Sequence, residues 1–86
     1  MDHMIEPIIR AFIAENYIFD SLQPGSSDSL TQMGILDSMG VLELIMFIEE
    51  RFGFKIPDED TLPENLDTIG NIVRYIERRR EAVKAA

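Results

Sequence analysis

Periodicity constrains this chain most. Three segments repeat apolar residues at helical spacing, and no stretch of any length alternates apolar and polar residues as a half-buried strand does. In the first segment Ile5, Ile8, Ile9, Phe12 and Ile13 form one stripe, with Pro7 in the first turn, where a missing N–H costs nothing. The stripe fades between Tyr17 and Phe19. The second helix is expected over Ser38 to Phe52 with Gly53 as its stop. At about 100° per residue, Val41, Leu44, Ile45, Ile48 and Phe52 share one side, which should face the core. The last helix is expected to begin at Asp67 or Thr68, both good caps, and its stripe is Ile69, Ile72, Val73 and Ile76 with Tyr75 beside it. Between the long segments, Phe54 to Pro57 reads as extended because the residue before proline avoids the helix. Pro63-Glu64-Asn65 can open one short turn of helix. The expected fold is all-α: a small four-helix bundle of three longer helices and one short one, with residues 1–86 forming one domain.

Residues 20–37 make a connection of unusual length for so small a bundle. Ser21, Pro24, Gly25, Ser26, Ser27 and Asp28 are turn chemistry. Leu22, Leu30, Met33, Ile35 and Leu36 are scattered through it as anchors expected to fold the loop back over the core.

Charge limits what the chain can meet. The net charge is −8, which disfavours nucleic acid and anionic membranes and favours basic partner surfaces. Acids crowd Asp37 to Asp67, whereas Arg74, Arg78, Arg79, Arg80 and Lys84 suit the negative end of the last helix dipole. There is no cysteine, hence no disulfide framework and no thiolate metal site, in keeping with a cytoplasmic setting. The Met1-Asp2-His3-Met4 start does not read as a secretory signal, and no apolar run approaches a membrane span. Asp58-Glu59-Asp60 lacks the alternating ligands, glycine and closing glutamate of a calcium loop, and His3 has no metal-ligand partner at suitable spacing, so no metal site is expected.

The chemistry concentrates at Gly34-Ile35-Leu36-Asp37-Ser38-Met39-Gly40-Val41-Leu42-Glu43-Leu44, where a loop turns into the second helix. Ser38 has no base within the chain to activate it: the only histidine is His3. Asp37-Ser38-Met39-Gly40 matches half of a nucleophile elbow, but Leu36 stands where the preceding glycine belongs and the supporting sheet is missing. Local pattern makes Ser38 the N-cap of the helix. That role is compatible with presenting its hydroxyl to another protein, since a phosphate attached there would lie in the favourable field of the helix dipole. On the side of the helix away from the core, Met39, Glu43, Phe47 and Glu50 cluster, flanked by Leu42 and Met46. Apolar side chains set among carboxylates on an outward face read as a partner surface. The alternative is that the long loop partly covers Phe47 and Met46.

With these residues in view, the chain resembles the acyl carrier protein superfamily, whose members carry acyl, D-alanyl, aminoacyl or peptidyl groups. The likeness lies in Asp37, Ser38 and Met39 followed by Leu42-Glu43-Leu44, and it continues through Glu49-Glu50-Arg51-Phe52, Ile56-Pro57-Asp58 and Thr68-Ile69. It runs from about Ile5 to Ile76. The resemblance implies a carrier with no activity of its own. Ser38 would bear a 4′-phosphopantetheine arm transferred from coenzyme A by a phosphopantetheinyl transferase with Mg²⁺, and the activating base would belong to that enzyme. The arm's thiol would hold cargo as a thioester. Asp37 would help the transferase hold its metal or a basic side chain. Met39, Leu42, Glu43, Met46 and Glu50 would form the recognition face, with Phe47 beside them. The implied partners are the transferase, an acyl- or aminoacyl-activating ligase and downstream biosynthetic enzymes with basic docking surfaces, met by a monomer.

Two departures bear on the cargo. Gly40 stands where many fatty-acid carriers have a polar residue, and Ser38-Met39-Gly40 is similar to D-alanyl and aminoacyl carriers. The second loop is longer than in typical fatty-acid carriers and holds Pro63. Both imply a dedicated pathway carrier, for fatty acid, polyketide or nonribosomal peptide chemistry, rather than a housekeeping one. A reading from another class is a non-catalytic helical interaction module whose Ser38 is only a cap.

Overall fold

A computed structural model describes residues 5–17 and 23–85, with side chains described to residue 82. The described elements are α1 (Ile5–Tyr17), α2 (Ser38–Phe52), a 3-10 turn (Asp58–Asp60), α3 (Pro63–Leu66) and α4 (Ile69–Ala85). There is no strand among the described residues, so the all-α bundle of three long helices and one short one stands as expected.

Each stripe does what its spacing requires. Ile5, Ile9 and Ile13 of α1, Leu44 and Ile48 of α2, and Ile69, Ile72, Tyr75 and Ile76 of α4 are buried in one core. Each such side chain contributes about 1.5–3 kcal/mol by leaving water. Val41, Ile45, Phe52 and Val73 are half-buried and pack against its edge. Phe54 and Ile56 fill the core from the extended segment after α2. That segment is tied to α2 where the Glu49 carboxylate accepts the Ile56 amide at 2.7 Å. Gly53 closes α2 at φ 79°, a left-handed conformation that glycine adopts without strain, and its amide reaches the Glu49 carbonyl. Pro63 opens α3 as expected. The 3-10 turn was not expected. Asp60 holds it in place by accepting the Tyr75 hydroxyl at 2.8 Å.

The long connection is stitched down rather than loose over its described part. Arg10 of α1 donates to the Pro24 carbonyl at 2.7 Å, and the Gly70 amide of α4 donates to Ser26 O at 2.9 Å. Leu30 and Leu36 are buried anchors and Ile35 packs at the core edge, whereas Met33 is exposed and Leu22 lies outside the described residues. Asp67 fixes Leu30 from the far side. Its carbonyl accepts the Leu30 amide at 2.8 Å, and its carboxylate accepts the Thr31 amide at 3.0 Å and the Ser29 hydroxyl. Asp67 is therefore occupied with the loop. Thr68 takes the capping role at the start of α4, its hydroxyl accepting the Asn71 amide at 3.1 Å.

Candidate functional site

The site is the loop-to-helix junction at the start of α2. The folded loop delivers the chain to this point through buried Leu36, and Asp37 then adopts an extended backbone (φ −114°, ψ −170°) just before the helix begins. Asp37, not Ser38, is the N-cap: its Oδ1 accepts the Gly40 amide at 2.8 Å. The expectation that Ser38 caps the helix is thereby corrected. Both residues are strong caps, and the backbone enters helical geometry one position earlier than a serine cap requires. Ser38 is the first helical residue and is exposed.

This arrangement frees the hydroxyl. No side chain among the described residues engages Ser38, and helix capping does not need it. An anion attached at Ser38 would lie at the positive end of the α2 dipole, whose effect is confined to the first turn. Asp37 places a carboxylate next to that hydroxyl in sequence, and it too is exposed. Among the described residues no acid–base partner is bonded to Ser38. The exposed hydroxyl, the capped helix end and the absence of bulk around it fit a covalently attached phosphodiester. Among the described residues no group of His, Cys, Asp and Glu is placed to hold a metal ion. No described helix is long and apolar enough to cross a membrane. His3 lies outside the described residues.

From Ser38 a stripe runs down the outer side of α2. Met39, Leu42 and Met46 are 66%, 53% and 62% exposed, and Glu43 and Glu50 are exposed between and below them. These five expected face residues are brought together. Phe47 is not among them. It is half-buried and stacked on Phe12 of α1, with ring centroids 4.2 Å apart and planes 16° from parallel. It belongs to the α1–α2 interface, where a helix covers it.

Two features were invisible in the sequence. The first is Tyr17, at the end of α1, whose ring packs edge-on against Phe12 (centroids 5.9 Å apart, 66°) and whose hydroxyl donates to Glu43. Burial raises the Tyr17 pKa, and the bond to Glu43 and the nearby carboxylates add to this, pushing it up to about 12. The second is a cleft of about 140 Å³ where the loop, α2 and α3 meet, with Val41, Leu62, Pro63 and Leu66 as its apolar lining and Thr31, Thr61 and Asp67 as its polar one. Its residues come from three separate segments, so no local pattern announces it.

Comparison with known proteins gives this geometry its family. The family described as "Phosphopantetheine attachment site" matches residues 8–76, which span the loop, all of α2 and most of the bundle. An acyl carrier protein of Helicobacter pylori is 39% identical over 74 residues, covering 86% of this chain and 92% of that protein. An acyl carrier protein of Chlamydia caviae is 32% identical over 76 residues, covering 88% and 96%. One from Wolinella succinogenes is 48% identical over 44 residues, covering 51% and 55%. With these matches the chain belongs to the phosphopantetheine-attachment family, within the acyl carrier protein superfamily: a non-catalytic carrier whose cofactor is covalent 4′-phosphopantetheine.

Proposed function

We propose that Ser38 is the residue that bears the phosphopantetheine arm, and that this chain is a cytoplasmic carrier presenting cargo to the enzymes of one biosynthetic pathway. The observation that carries this reading is the division of labour at the start of α2. Asp37 does the capping, which leaves Ser38 exposed with a free hydroxyl. When bound, the arm supplies a terminal thiol that holds cargo as a thioester. The protein's own contribution is to hold the attachment point rigidly at a helix end and to display Met39, Leu42, Glu43, Met46 and Glu50 beside it. Carboxylates around a few exposed apolar side chains suit the basic docking surface of a phosphopantetheinyl transferase, of an activating ligase or of downstream enzymes. Asp37 has room to help that transferase hold its metal or a basic side chain while it keeps its cap.

Two cargo classes remain in play within this reading. The cleft favours an acyl chain through Val41, Leu62, Pro63 and Leu66, while the Asp67 carboxylate that also lines it is already bonded to the Ser29 hydroxyl and the Thr31 amide. Gly40 after Ser38-Met39 favours an aminoacyl or D-alanyl group by resemblance. Loading the phosphopantetheinylated protein with fatty acids and with amino acids, each through its own ligase, separates them. Acyl loading without amino acid loading is expected, and the reverse result overturns the acyl assignment. In the reading of a helical interaction module, Ser38 would have been only a cap, and Asp37 takes that position instead.

A further inference from the structure

We infer that Tyr17 is a positioning residue for partner recognition: its hydroxyl holds the Glu43 carboxylate in one orientation on the α2 face, so that the recognition surface is organised from α1. This rests on the proposed recognition face and adds a residue that stands outside α2 and 26 positions from its partner in sequence.

The ring has a built seat. It leans edge-on against Phe12, and Phe12 stacks on Phe47, so a ladder of three aromatic rings ties the end of α1 to the middle of α2. Glu43 and Phe47 are one helical turn apart on α2, so the ladder and the Tyr17–Glu43 bond address the same stripe. Gly40 completes the seat. A Cβ at that position would come a tight 3.1 Å from Leu36 Cδ2 and meet Tyr17 Cε1 at 3.4 Å, so the ring lies directly against the helix here.

The consequence for docking follows from the donor count. A carboxylate can accept about four hydrogen bonds across its two oxygens, so one bond from Tyr17 leaves ample capacity for a partner's arginine or lysine. An exposed glutamate otherwise samples many rotamers and loses that freedom when a partner grips it. Holding it beforehand removes part of that loss. The effect acts on binding of the carrier and leaves the transferase's chemistry alone.

The test compares Tyr17→Phe, Glu43→Gln and the double variant as substrates of a phosphopantetheinyl transferase at low salt, with KM and kcat resolved. Phenylalanine keeps the ring on Phe12 and Gly40 and removes only the hydroxyl. Each single variant is expected to raise KM about 2- to 5-fold with kcat unchanged, and the double variant no further, because both changes remove one interaction. An unchanged KM for Tyr17→Phe beside a raised KM for Glu43→Gln overturns the inference and leaves the recognition face standing. An unchanged KM for Glu43→Gln removes both. Losses that multiply in the double variant also overturn it, since Tyr17 then acts by another route. A readout independent of any variant is a deuterium isotope shift from the Tyr17 hydroxyl on the Glu43 carboxyl carbon in the native protein. Its presence is expected and its absence contradicts the bond.

Discussion

Replacing Ser38 by alanine should leave the fold almost untouched, while replacing Asp37 by alanine should weaken it measurably. The Asp37 side chain satisfies one of the orphan amides of α2 through its 2.8 Å bond to Gly40, and no equivalent bond is made by Ser38. Removing an N-cap acceptor costs about 1 kcal/mol, within a range of roughly 0.5–2. Asp37 also places a negative charge at the positive end of the helix, worth about 0.3–1 kcal/mol more. The two contributions overlap, because the cost of losing an aspartate cap already contains part of its charge effect. The net expectation for Asp37→Ala is about 1–1.5 kcal/mol. In a domain of this size that corresponds to a fall in Tm of roughly 4–12 °C. Asp37→Asn keeps an oxygen at the cap and should recover most of the loss. For Ser38→Ala, an exposed first-turn position, the change should stay within about 0.5 kcal/mol. Urea denaturation followed by circular dichroism at 222 nm, with a common slope for all variants, measures each difference directly. A loss for Ser38→Ala that equals or exceeds that for Asp37→Ala refutes the assignment of the cap and with it the freedom of the Ser38 hydroxyl.

Three further outcomes follow from named contacts. Phe47→Ala should cost about 2 kcal/mol because it strips the stacking partner from Phe12, whereas Met39→Ala and Met46→Ala should each stay within about 0.5 kcal/mol of the native stability in the same urea assay. For Asp67, burial pushes the carboxyl up, but the Ser29 hydroxyl and the Thr31 amide outweigh it and hold the pKa below the ordinary carboxylate value. The stability it contributes is therefore present above its unfolded pKa of about 4 and is lost as pH falls through the depressed folded value. Asp67→Asn should flatten that acid limb in thermal melts from pH 6 to pH 3. Reversing charge at Glu43 and Glu50 together should slow modification by the transferase several-fold at low salt and less at high salt, and salt-independent kinetics would count against an electrostatic face.

How far the sequence discloses this molecule depends on the range of the interaction. Stripes such as Ile5, Ile9 and Ile13 or Ile69, Ile72 and Ile76 are repeats of a single helix, so their burial is legible without knowing their neighbours. Phe47 shows the limit. Helical angle puts it on the same side as Met39 and Glu43, but only the position of α1, across a long loop, decides that Phe12 covers it. The cap was misplaced by one residue for a local reason. Asp37 and Ser38 are both good caps, and the choice rests on where the backbone turns helical. The bond from Tyr17 to Glu43 and the cleft beside Leu62 join segments far apart in sequence, and neither leaves a local signature. The proposed attachment motif leaves a local signature because it is compact, with Asp37, Ser38 and the start of α2 within a few residues.

The central claim is that Ser38 is a free hydroxyl offered to another enzyme. The most direct measurement is the intact mass of the purified protein after incubation with a broad-specificity phosphopantetheinyl transferase, coenzyme A and Mg²⁺, beside Ser38→Ala under the same conditions. One added phosphopantetheine on the native chain and none on the variant is the result this account predicts. Modification of the Ser38→Ala chain, or none of the native chain while a control carrier is fully converted, would contradict it.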